Sequence, residues 1–260
     1  MSIFKKLFGS KYPENRSTSS VEETGAINYD YLADYGLSES EKSSFTAYSY
    51  VHQNYSIHPI TQEEHQALAF MTDFLPDVCF LWGDETSNYA GLFYRGPLKG
   101  KIMILDHSNA FYAPLYSSMD SFITSIMDDS TDLAIPTLFS AEQSTSYHAD
   151  YPAHSQSLEE IETNYTAAMQ LLAILDSLSD DEEHYAQTVF QLCYIMPYEH
   201  LDELLIFFNS DNMYVLQELP YIFAFHQYRP AIPYLKKAVQ KATPYISSHA
   251  ERALSYYNHL

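Results

Sequence analysis

The chain is poor in cations, in cysteine and in catalytic signatures, and each shortage excludes something. It has 13 lysines and arginines against 34 aspartates and glutamates over 260 residues, a net charge of -21. That excess opposes non-specific binding to nucleic acid or an anionic membrane, so direct nucleic-acid binding is not expected and a basic partner is. The only cysteines, Cys79 and Cys193, stand far apart in apolar runs. They exclude a disulfide framework and suit a reducing compartment, which points to the cytoplasm. No apolar run reaches transmembrane length, so stable membrane insertion is not expected. The basic pair Lys5-Lys6 adjoins an apolar run too short for secretion, and Ser2 stands where myristoylation needs glycine. No zinc-ligand spacing, HExxH helix, phosphate loop, EF-hand or GxSxG elbow occurs, and neither cysteine has a local triad. Neither a cofactor nor a metal is expected.

What the chain does have is aromatic surface area: 24 tyrosines and 15 phenylalanines, with a single tryptophan. Some of these rings fill cores. Others, set among acids, suit the gripping of a basic protein, because aromatics anchor interfaces and charges steer encounters.

The centre of the sequence is Cys79 to Tyr94, followed by a second apolar run, Ile102 to Leu105. Both read as strands closed by turns at Gly83-Asp84-Glu85 and Gly96 to Gly100. Period two places Phe80 and Trp82 on one face, Cys79 and Leu81 on the other. Every residue from Ile102 to Leu105 is apolar, which predicts a strand covered on both faces by helices. Two helices are expected nearby. One is capped by Thr61 with Glu64 and runs towards Phe74 and Leu75. The other spans Ser118 to Met127, with Met119, Phe122, Ile123 and Ile126 as its stripe. Ser38 with Glu41 caps an earlier one. The predicted core is Trp82, Phe80, Ile102, Ile104 and Phe122.

Residues 1–28 read as a flexible segment, 29–150 as an α+β domain with a mostly antiparallel sheet and packed helices, and 151–260 as an all-α domain. The helical half starts with a helix over Leu158 to Leu178, its stripe being Ile161, Tyr165, Met169, Leu172 and Leu175. A helix behind Asp181 and a segment from Leu201 then recur thirty residues on, behind Asp211 and from Ala231. That period suggests HEAT-like repeats.

Phe80 to Gly91, Gly96 to His107 and Phe111 to Ile126 resemble the SMI1/KNR4, or SUKH, superfamily. The likeness covers about Leu75 to Met127. Leu75-Pro76 matches the family's first pair, and the usual Asn-Gly before the sheet is absent. The resemblance implies an α+β fold. It also implies a function, since bacterial members are immunity proteins that neutralise toxins, often nucleases or deaminases, and eukaryotic members look like scaffolds.

Three functions follow as expectations. The first is an immunity protein, or antitoxin, without enzymatic activity, that binds a cognate basic toxin domain. The second is an intracellular protein–protein scaffold. The third is a hydrolase using Asp84, Glu85, Asp106 and His107. The expected interface is an exposed rim of Asp84, Glu85, Asn88 and Asp106 beside the anchors Tyr89 and Tyr94, aided by acids near Asp180 and Asp211.

Overall fold

A computed structural model describes residues 30–51, 57–84, 87–106, 112–128, 149–153, 156–178, 181–241 and 243–257. It is a mixed α+β unit followed by a helical region. Five antiparallel strands pair in chain order: β1 (His58–Pro59), β2 (Val78–Gly83), β3 (Tyr89–Phe93), β4 (Ile102–Leu105) and β5 (Pro114–Tyr116). The flexibility expected of 1–28 concerns residues outside those described.

Helix α1 (Glu39–Val51) begins where expected: Glu41 N–H donates to Ser38 Oγ at 3.2 Å, and Ser38 N–H to Glu41 Oε2 at 2.6 Å. Helix α2 (Gln62–Ala67) carries the Thr61–Glu64 capping box. It is shorter than the sequence predicts. Leu68 N–H is shared between the carbonyls of Glu64 and His65, and the chain tightens into a 3-10 turn over Ala69–Asp73. Helix α3 (Met119–Asp128) follows β5, and Ser121 N–H donates to Ser118 Oγ at its start.

The sheet is covered on both sides. On one side Cys79, Leu81, Trp82, Leu92, Ile102 and Ile104 pack with Phe45 and Tyr48 of α1 and Phe122 of α3. On the other, Val78, Phe80, Phe93, Met103 and Leu105 join a core that continues into the helical region. The four residues of β4 are all buried and divide between the two faces.

Phe80 and Trp82 do not share a face. Phe80 pairs with Gly91 and Trp82 with Ala90, leaving Leu81 as the extra residue of a β-bulge. The bulge breaks the period of two and turns Trp82 towards α1 and α3. There its ring meets Phe45 and Phe122, each at 5.1 Å between centroids. On the opposite face Gly91 allows close approach, since a Cβ there would lie 2.5 Å from Val78 Cγ1.

The helical region comprises α4 (Leu158–Ile174), α5 (Glu182–Ile195), α6 (Met213–Phe225), α7 (Ile232–Lys241) and α8 (Pro244–Tyr256). Of the stripe expected on α4 only Leu175, just past its end, is buried. Asn164, Ala167, Ala168 and Leu171 are buried instead, while Ile161, Tyr165, Met169 and Leu172 are half-exposed. Alanines let the helix come close, and Asn164 meets the buried lysine Lys101: Lys101 Nζ donates to Asn164 Oδ1 at 2.9 Å and to the Tyr151 hydroxyl at 2.7 Å. The segment Tyr198–Asn209 is a 3-10 helix that buries Leu201, Leu204 and Phe207, the period of three such a helix requires. Helices α5, α6 and α8 start at Glu182, Met213 and Pro244, a spacing of 31 residues each time. The region is repeat-like, with α6 packed between α5 and α8. Pro220 inside α6 removes the ladder bond to Leu216.

Candidate protein-binding edge

The described residues of the predicted rim, Asp84, Asn88 and Asp106, are buried. Asp84 is 6% exposed, Asn88 4% and Asp106 8%. Asp84 and Asn88 close the β2–β3 connection on themselves. Asp84 Oδ1 accepts from Asn88 N–H at 2.9 Å, and its Oδ2 accepts from the Asn88 side-chain amide at 3.0 Å. A carboxylate held this way serves the turn. Tyr89 is half-buried and edge-on to Phe80. Tyr94 donates its hydroxyl to the Pro76 carbonyl at 3.0 Å and packs edge-on against Tyr35. Glu85, His107 and Asp180 lie outside the described residues, and with Glu85 and His107 goes half of the expected Asp84–Glu85–Asp106–His107 cluster. Trp82, Phe80, Ile102, Ile104 and Phe122 are all buried.

Asp211 leads somewhere else. It is exposed, one residue before Asn212, the N-cap of α6. Asn212 Oδ1 accepts from Tyr214 N–H at 3.0 Å and Val215 N–H at 3.3 Å. Its amide donates to the Glu182 carbonyl at 2.8 Å. One side chain therefore caps α6 and ties it to the first turn of α5. Asp181 caps α5, accepting from His184 N–H at 3.1 Å and pairing with His184 Nδ1 at 2.6 Å. The hydrogen bonds from His184 hold the Asp181 carboxyl below its usual range, so it is ionised at neutral pH.

The two helix starts form one edge. Asp181, Glu182 and Asp211 are exposed along it, with Glu183 half-buried. Met213 and Tyr214, 51% and 54% exposed, project from the same turn. A flexible thioether and an aromatic ring ringed by acids combine an adaptable anchor with a steering field. No lysine or arginine occurs in the sequence between Lys101 and Arg229, so none from α4, α5 or α6 neutralises this field. Sequence reasoning found the acids here but missed Asn212, Met213 and Tyr214. The signal lay in the interval itself, which puts Asp211-Asn212 one repeat after Asp180-Asp181.

Among the described residues no group of three or more His, Cys, Asp or Glu side chains could hold a metal ion, and no helix is long and apolar enough to cross a membrane. No family model, no curated protein and no solved structure matches the chain.

Proposed function

We propose that the chain is a non-enzymatic binding protein whose acidic edge at the starts of α5 and α6 grips a basic protein, and that this partner is a toxin domain it neutralises. The observation that carries the binding reading is the Asn212–Glu182 bridge, which sets Asp211 and the exposed Met213 and Tyr214 against the acidic turn of α5. The toxin rests on the SUKH resemblance of Phe80 to Ile126. A sheet with helices on both faces is compatible with a SUKH-like domain, and the even helix spacing with HEAT-like repeats behind it. The two free, buried thiols, Cys79 and Cys193, fit residence in the cytoplasm.

Co-expression with a toxic domain encoded beside this gene tests the function. Survival of the cells and a co-purifying complex are expected, and unchanged killing with no complex refutes it. Binding kinetics then test the edge. Glu182→Lys with Asp211→Lys should slow association at least ~10-fold at low salt and much less at high salt. Tyr214→Ala should act mainly by speeding dissociation. Unaltered kinetics in both variants move the interface off this edge. An ordinary housekeeping protein as the stable partner supports a scaffold instead.

A further inference from the structure

A cavity of about 160 Å³ lies on the seam between the α+β unit and the helical region. Its volume is that of a single aromatic ring, since an engineered apolar cavity of about 150 Å³ takes benzene. The sheet side of its wall includes Val78, Phe93 and Leu98, and α4 contributes Leu171 and Ile174. These make the lining mostly apolar. The stripe His184, Gln187, Thr188 and Gln191 of α5 completes it, at the spacing that puts side chains on one helix face.

The polar groups of the wall decide what fits. Arg95 Nε donates to Asp77 Oδ1 at 2.6 Å, so these two charges cancel at the rim. His184 is paired with Asp181. Gln187 Oε1 accepts from Tyr112 N–H at 3.1 Å, and Gln191 Nε2 donates to the Tyr112 carbonyl at 3.3 Å. A charged ligand would find no uncompensated opposite charge here and would lose its hydration. Of the polar side chains on the wall, Thr188 alone makes no hydrogen bond among the described residues, and it is 8% exposed. Mid-helix threonines commonly bond back to the carbonyl four residues earlier, and this one does not. A wall hydroxyl that the fold does not use, in a mostly apolar cavity, selects for one hydrogen-bonding group on the ligand.

We infer that this cavity is a binding site for a small uncharged aromatic alcohol, a single ring bearing one hydroxyl, with Thr188 as the group that recognises the hydroxyl. The site adjoins the acidic edge through the His184–Asp181 pair, and it does not depend on the function proposed for that edge.

Titration calorimetry on the full chain at neutral pH, with phenol, toluene and benzoate as probes, tests it. Phenol should bind at least fivefold more tightly than toluene and tenfold more tightly than benzoate. Thr188→Val, which keeps the shape and removes the hydroxyl, should bring phenol and toluene to equal affinity. Ile174→Phe, at an exposed position of the lining, should weaken both. A thermal melt of each variant checks that it is folded. Absence of phenol binding up to its solubility limit overturns the proposal. So does benzoate binding as tightly as phenol, or a phenol preference that survives Thr188→Val.

Discussion

Lys101 is a costly side chain to bury. Burial pushes its ammonium down to about 8, and the negative charges of Asp150 and Glu160 offset only part of that. Its two hydrogen bonds go to neutral oxygens, those of Tyr151 and Asn164. In the unfolded chain the same group titrates near its ordinary value of about 10.4. Between these values the unfolded state binds more protons, so stability rises as pH increases from about 8 towards 10. The full effect is on the order of 3 kcal/mol, present as a penalty at pH 7 and relieved on deprotonation. Lys101→Met should abolish this rise without a loss of stability at pH 7. The Tyr151 hydroxyl already donates to Asn164 Oδ1 at 3.0 Å, so neither partner is orphaned by the change. Urea titrations of both proteins from pH 7 to 9.5 measure it; parallel pH profiles would show that Lys101 is not the source.

At the scale of elements, caps and joints matter more than propensity. Asn212 has two duties, and two substitutions separate them. Asn212→Asp keeps the oxygen that caps α6 and removes the amide that reaches Glu182. Asn212→Ala removes both and should cost about 1–2 kcal/mol in chemical denaturation. The aspartate should fall between wild type and alanine, and an aspartate equal to wild type would make the bridge energetically silent. Much at this scale is legible in sequence because it is local. The boxes Ser38–Glu41 and Thr61–Glu64, the apolar run Ile102 to Leu105 and the recurrence behind Asp181 and Asp211 all depend on near neighbours. What escapes is set by distant partners. The bulge at Leu81 follows from how β2 meets β3. The rotated face of α4 follows from Lys101, which needs Asn164. The acids of the expected rim fail for a related reason: Asp84 reads as a surface charge until its oxygens are seen holding Asn88. Composition fixes the sign of the acidic edge, whereas its place depends on the packing of α5 against α6.

Across the whole molecule, charge and topology are unevenly spread. The cation-free stretch between Lys101 and Arg229 contains the acidic edge, whereas α7 carries Lys236, Lys237 and Lys241. The core is uneven as well. One face of the sheet is covered mainly by α1 and α3, elements complete by residue 128, while the other shares its core with Leu68, Met71 and Leu75 and with helices from α4 onwards. Strands that pair in chain order need no distant segment to form. On a ribosome the sheet and its first cover can therefore assemble while Val78, Phe80, Phe93 and Met103 have Leu68, Met71 and Leu75 beside them but still lack the helices of the second half. At ordinary synthesis rates the helices through α6 take roughly 5–20 s more to emerge. A chain ended after Ala153 should reproduce that interval permanently. It should bind a hydrophobic dye and scatter light at micromolar concentration, whereas a clear, dye-silent fragment would mean that the sheet closes without the helices. The same strand order that lets the sheet pair without its second half thus leaves part of one face for that half to cover.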